Sequence, residues 1–306
     1  MARWYAVTST IKKGNFMSES FAHVQSGKAH FGHVYNQADP RGYFQALRGL
    51  EYQAPAHGER VFAHLVQRRR EHLEREDAVV LDLCCSYGIN AALLNHDLTL
   101  DALYARYGSP ELAELSTDEL VAADCAFYRE HRRSHPVQVL GIDVADQAVG
   151  YAQRVGLHWA GSSENLEMEN PSAALAHCLT GVDLITVTGG IGYITERTFD
   201  RVLQHVSAED GCWVATFALR WIPYERITEV LARYGLATEQ LSGHTFRQRR
   251  FADDKERDYV LGKLESMGID PAGKETDGWY HSIFYFSCPV EHNLPPLREL
   301  LSGCVD

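Results

Sequence analysis

Residues Asp77–Gly88 read DAVVLDLCCSYG, and the rest of the chain takes its place around them. Ala78, Val79, Val80, Leu81 and Leu83 make an almost unbroken apolar run of strand length. A run this short, closed by turn residues, predicts a fully buried strand of a parallel sheet. One acid, Asp82, stands near its end, and the tight turn Cys84-Cys85-Ser86-Tyr87-Gly88 follows. INAALLN, residues Ile89–Asn95, then reads as the first turns of a helix. Strand, small-residue turn and helix together bring the backbone close to a nucleotide-like ligand.

Working outward, Val137–Asp143, VQVLGID, repeats the pattern: an apolar strand, a terminal acid, and the helical sequence DQAVGYAQRVG. An acid at the end of a second strand is placed to accept hydrogen bonds from both hydroxyls of a ribose. A carboxylate suits that task because it only accepts and carries charge. Asp143 follows Asp82 by 61 positions. The nucleotide-binding arrangement needs only about 20 after its turn. The surplus, near residues 95–136, is an insertion, and it reads as helices. Gly108 stops LTLDALYARYG, Ser109-Pro110-Glu111 starts another helix, and Ser116-Thr117-Asp118-Glu119 is a capping box. Such an insertion cannot join the sheet, so it covers an edge or forms a dimer surface.

VLDLCCSYG followed by GIDVADQAVGYA resembles the first two cofactor-binding motifs of class I S-adenosylmethionine-dependent methyltransferases. The family's first motif is an acid and then glycines at three alternate positions. Cys84, Ser86 and Gly88 hold those positions here, so two glycines are replaced by small residues. As a topology the resemblance spans roughly residues 77–287. It implies an α/β, Rossmann-like methyltransferase sheet, mostly parallel with an antiparallel last strand, under an N-terminal helical cover and with a helical insertion. It also implies S-adenosyl-L-methionine as cofactor and no metal. Asp143 with Val144 is expected at the ribose. Asp82, Cys84, Ser86, Gly88 and Asn90 are expected around the turn, where Asp82 either holds the turn or meets the cofactor's amino group through water. Ser163, Glu164 and Asn165 offer the contact to adenine, whose exocyclic amine needs an acceptor. Thr188 and Gly189 are expected at the end of the fourth strand.

The remaining elements follow in order. Residues 1–24 are loosely specified, with Trp4, Tyr5 and Phe16 as anchors of an arm. Asp39 caps a helix with Pro40 at its first position, and Tyr43, Phe44 and Leu47 share one face of it. Pro55 breaks the chain before a longer helix, 57–76. Helices before the first strand of the resembled fold often lie over the cofactor. Tyr35, Tyr43 and Tyr52 therefore either line the site, where an aromatic face suits a sulfonium cation, or form a core stripe. A lid over residues 31–52 that orders on cofactor binding is expected. GLHWAGSSENLE supplies a third strand and its loop, 181–188 a fourth strand, and 211–219 a fifth. Residues 238–251 and 279–288 read as an antiparallel edge pair, with a helical insertion at 253–267 between them. The domain reading is thus an arm and cover over 1–76, a Rossmann-like domain over 77–288, and a tail over 289–306.

Across its 306 residues the chain is 45% hydrophobic and carries a net charge of −12, with no long basic run. That argues against a nucleic-acid partner, whose binding rests on phosphate neutralisation. Arg68–Arg70, Arg132-Arg133 and Arg247–Arg250 read as solvated faces. Seven cysteines without zinc-like spacing suggest reduced thiols. No signal peptide or long apolar span appears, so a soluble cytoplasmic protein with no membrane partner is expected, with a homodimer as an option. No P-loop, GxSxG elbow or kinase signature occurs. Tyr193 and His281 are the candidate catalytic side chains, His281 against the plainer reading of a structural strand histidine. Methyl transfer needs little side-chain chemistry, because the sulfonium is already activated and alignment does most of the work.

The leading reading is a biosynthetic methyltransferase acting on a small molecule, since covering segments favour an enclosed pocket. A second reading keeps the cofactor as substrate: a cyclase forms azetidine-2-carboxylate from it and releases methylthioadenosine. A non-catalytic binding module is a third. NAD-dependent oxidoreduction is disfavoured by the missing glycine fingerprint.

Overall fold

Val79–Leu83 forms β1, and its neighbours on both sides run parallel to it: β2 (Gln138–Ile142) and β4 (Leu184–Thr188). The structure, a computed structural model, describes residues 32–305, and the arm expected over 1–24 lies outside them. β3 (Ala160–Ser162) extends the sheet beyond β2, and β5 (Trp213–Leu219) extends it beyond β4, both parallel. β8 (Trp279–Pro289) then pairs antiparallel with β5. β6 (Leu236–Gln240) and β7 (Phe246–Arg250) lie end to end along the outer edge of β8. The order is β3-β2-β1-β4-β5-β8-β6, with β7 on β8 as well. This is the mostly parallel sheet with an antiparallel last strand that the resemblance implies. The single extended strand expected over 238–251 is two strands, interrupted around residues 241–245.

The helices, in chain order, are α1 (Gly32–Tyr35), α2 (Arg41–Gly49), α3 (Ala54–Leu73), α4 (Ile89–Asn95), α5 (Leu100–Tyr107), α6 (Pro110–Ala113), α7 (Thr117–Glu130), α8 (Asp146–Arg154), α9 (Ala173–Leu179), α10 (Glu196–Leu203), α11 (Glu225–Arg233), α12 (Asp254–Ser266) and α13 (Leu297–Leu300). Pro55 does not break the chain before α3. It sits in the helix's first turn, where the missing N–H costs nothing. The capping box at Ser116 and Glu119 starts α7 as expected.

Alternation along the parallel strands sends side chains into two cores. Val80 and Val139 join α3, α4 and the cover on one face, while Leu81, Leu140 and Ile185 meet α9, α10 and α11 on the other. The insertion closes on itself at its base. His96 pairs with Arg132, and Asn95 exchanges two hydrogen bonds with the backbone of Val137, at 2.8 and 2.9 Å. Its helices then pack against the cover rather than extending the sheet. Buried Asp124 binds them together, accepting from Arg106, Tyr107 and Tyr151. No helix among the described residues is long and apolar enough to cross a membrane.

Candidate functional site at the carboxyl ends of the strands

The turn after β1 keeps the backbone shape of a glycine motif with only one of its three glycines. Cys84, Ser86 and Gly88 all have positive φ, at 59°, 49° and 77°. Two L-residues in the left-handed region cost roughly 1–2 kcal/mol each. The turn holds them there through Cys84 N and Cys85 N, which donate to Ile142 O at 2.8 and 3.3 Å, and Ser86 N, which donates to Asp143 Oδ2 at 2.9 Å. Gly88 answers to space as well as to φ, because a Cβ there would lie 3.0 Å from His158 Nε2.

Asp82 is buried beneath this turn. Asn90 Nδ2 donates to its Oδ1 at 2.9 Å and also to Thr188 Oγ1 at 2.7 Å, and Thr186 donates to the same Asp82 oxygen at 3.0 Å. Burial pushes the carboxyl up to about 7 against the pull of those donors. Asp82 Oδ2, Asn90 Oδ1 and Ser86 Oγ are buried with no hydrogen-bond partner among the described residues. Leaving such atoms unsatisfied costs about 1–3 kcal/mol each, so their clustering beside one turn marks a place built to receive polar groups. Asp143 stands at the end of β2. Its carboxyl accepts from Ser86 N and from Ala145 N, at 2.9 and 3.0 Å, and burial raises its pKa. A carboxylate has about four lone-pair sites, so acceptor capacity remains.

The cover is fastened to the rims of both acid loops. Tyr87 OH accepts from Gln37 N at 2.8 Å, and Asn36 bonds both the Asp146 carboxylate and Gln147 N at 2.9 Å. Arg41 ties the cover to the insertion through the carbonyls of Leu112 and Leu115. The stretch before α3 is stitched to β7, Gln53 N to Gln248 O and Arg250 N to Leu50 O, at 2.7 and 2.8 Å. Arg41–Gln53, part of the expected lid, is thus joined by hydrogen bonds to the insertion and to β7 and walls the strand ends. Tyr43 belongs to the core, buried edge-on against Tyr35 and Phe44. Tyr35 and Tyr52 are half-buried and lie within electrostatic reach of each other, of Tyr193 and of Arg249. Tyr35 also feels Asp143, and Tyr52 feels Asp82. Burial raises all of these phenols, which stay neutral.

β7 brings residues that the sequence placed on a solvated face. Arg247 pairs with His281 and Arg250 with Trp279, so one extra residue is accommodated between them as a β-bulge. A bulge re-aims side chains. Here Gln248 and Arg249 are both buried, while Arg247 and Arg250 stay exposed over the Trp279 ring. Arg249 makes a two-pronged ion pair with buried Glu256 of α12, at 2.6 and 2.9 Å, and lies 4.6 Å from the Tyr280 ring centroid. Gln248 reaches over Gly189. A Cβ at Gly189 would lie 2.6 Å from Gln248 Nε2 and 3.4 Å from Tyr52 OH.

The other expected residues are distributed unevenly. Tyr193 joins the cluster, close enough to Cys84, Arg249 and Glu256 to feel their charges. Val144 is an exposed apolar residue beside Asp143. Of the adenine candidates, Glu164 is occupied by Ser162 and Ser172, and Asn165 Oδ1 caps Glu167 N. Ser163 shares their loop. Gly190 backs onto Cys84, whose Sγ would lie 2.7 Å from a Cβ there. His281 points away from the cluster. Its Nδ1 meets Thr245 Oγ1 at 3.0 Å, and its charged neighbours are Arg220, Arg247, Lys274 and Asp277. Tyr280, one residue earlier and hence on the other face, is the β8 side chain that reaches the site. Burial and the surrounding cations lower His281 to about 4.

Paired acids at the carboxyl ends of adjacent parallel strands, on this strand order, belong to a Rossmann-like α/β fold whose candidate site lies at those strand ends. No family model matches the chain, and no curated protein does. Solved structures do match. The plantazolicin methyltransferase BamL, in complex with a triazolic desmethylPZN analog and SAH, is 12% identical over 88% of this chain and 96% of that one, with a TM-score of 0.45. Magnesium protoporphyrin IX methyltransferase (ChlM) from Synechocystis PCC 6803, with bound SAM, is 11% identical over 90% and 99%, with a TM-score of 0.38. The [4+2]-cyclase SpnF is 13% identical over 74% and 82%, with a TM-score of 0.35. Similarity at this level says nothing about substrate, and the site's chemistry rests on its own residues.

Proposed function

We propose that the protein is an S-adenosylmethionine-dependent methyltransferase that acts on a small molecule in the cytoplasm. One observation carries the reading: unpartnered Asp82 Oδ2, Asn90 Oδ1 and Ser86 Oγ lie beside a turn that Asp143 holds, under half-buried tyrosines. These residues fit the cofactor part by part. Asp82 and Asn90 would accept from its ammonium, and Asp143 would accept from its ribose hydroxyls. Val144 would lie against adenine. Tyr35, Tyr52 and Tyr193 would offer aromatic faces to the sulfonium. When bound, the cofactor supplies an activated methyl group. The chain's own residues bind it, exclude water and fix the line of approach. Gln248 and Tyr52, over Gly189, are the groups best placed to orient the acceptor.

A second reading is favoured by the buried carboxyl of Asp82, whose pKa of about 7 suits a proton acceptor. In that reading the ligand's own amine closes on its side chain, Asp82 takes the amine proton, and methylthioadenosine leaves. Incubating the protein with S-adenosylmethionine alone tests both readings by mass spectrometry. Methylthioadenosine formed by the wild type and lost in Asp82→Asn supports cyclisation. An intact ligand, converted to S-adenosylhomocysteine only when an acceptor is added, supports methyl transfer.

A further inference from the structure

The amino end of β2, the opposite end from Asp143, borders a cavity of about 230 Å3. Arg70, Arg133, Ser134 and His135 line it above an apolar floor that includes Val66 and Leu94. On a chain of net charge −12, this lining carries two guanidiniums and no carboxylate, with Glu59 and Glu76 standing beside it at Arg133 and His135. Neither arginine is well satisfied. Arg70 reaches the carbonyls of His135 and Pro136 only at 3.2 and 3.3 Å, and its buried Nε has no hydrogen-bond partner among the described residues. Arg133 reaches Leu94 O and Glu59 at 3.4 Å each. Glu59 is the acid that faces Arg133 there, as a long ion pair.

We infer that this cavity binds a small organic anion, with a carboxylate or phosphate head between the two guanidiniums and a short apolar body on Val66 and Leu94. Arginine forks suit either head group. The cavity wall is the segment where the insertion rejoins β2, so an occupant braces the base of the strand that carries Asp143. Anything that binds only the native state raises its stability by mass action.

The test uses benzoate and phenyl phosphate, titrated into the full chain at fixed ionic strength by calorimetry, with melting temperature followed in parallel. Saturable one-site binding with a dissociation constant of about 1 mM or tighter is expected for at least one probe. The probe that binds assigns the head group. Arg133→Ser should weaken this binding by at least about tenfold. Ser134→Phe, which fills the cavity without removing a charge, should abolish it and serves equally if Arg133→Ser fails to fold. Absence of saturable binding to the wild type overturns the inference, as does equal affinity in a folded variant.

Discussion

Ser86 N donates to Asp143 Oδ2 at 2.9 Å, so the turn after β1 is held in shape by the acid that ends β2. The two motifs are thereby one object. Asp143 fixes a left-handed Ser86, and the same carboxyl keeps acceptor capacity for a ligand. This coupling accounts for a turn that works with one glycine where three would be easier.

Ser86→Gly removes a left-handed L-residue and a sealed hydroxyl. Its melting temperature is expected to match or exceed that of the wild type, with ligand binding retained. Ser86→Val, β-branched at φ 49°, should lose about 1–3 kcal/mol. Chemical denaturation of the two variants checks this. A Val variant as stable as the Gly variant would contradict the strain.

Asp82 makes stability depend on pH in an unusual direction. Burial holds its native pKa at about 7. In the unfolded chain an aspartate titrates near ~3.9, so between these values the native state keeps a proton that the unfolded chain has lost. Stability then falls as pH rises. The contribution is complete below about pH 4 and is lost as pH rises through 7. Asp82→Asn should flatten that slope, read from denaturant midpoints across the window. A cationic ligand favours the ionised carboxyl, so ligand affinity should rise with pH through the same range. Parallel stability curves for wild type and variant would refute the assignment.

Glu256→Gln breaks the buried pair that sets Arg249 against Tyr280. A loss of about 3–5 kcal/mol in folding stability is expected. Gln248→Leu, one residue away in the bulge, should leave stability within about 1 kcal/mol and lower turnover instead, because its amide reaches over Gly189. Equal melting losses in both variants would make Gln248 merely structural.

Much of this was legible before the fold was known. Apolar runs ending in Asp82 and Asp143 are strongly patterned, and the Ser116 capping box names its own helix start. The β7 contribution was hidden. RQRR at residues 247–250 looks solvated, and only a bulge, which depends on pairing with β8, turns Gln248 and Arg249 inward. Alternation along β8 puts Tyr280 and His281 on opposite faces, but which face meets the site depends on packing against α12. The wall formed by Arg41–Gln53 was equally opaque. Its anchors, such as Gln53 N to Gln248 O, join residues almost 200 positions apart.

Calorimetric titration of the full chain and of Asp143→Ala with S-adenosylmethionine tests the central claim most directly. The account predicts saturable binding at one site in the wild type. In the variant, loss of a buried charge-assisted acceptor worth about 1.5–3 kcal/mol should weaken binding by at least about tenfold. A folded wild-type protein that takes up no S-adenosylmethionine, or an Asp143→Ala protein that binds it equally well, would contradict the account.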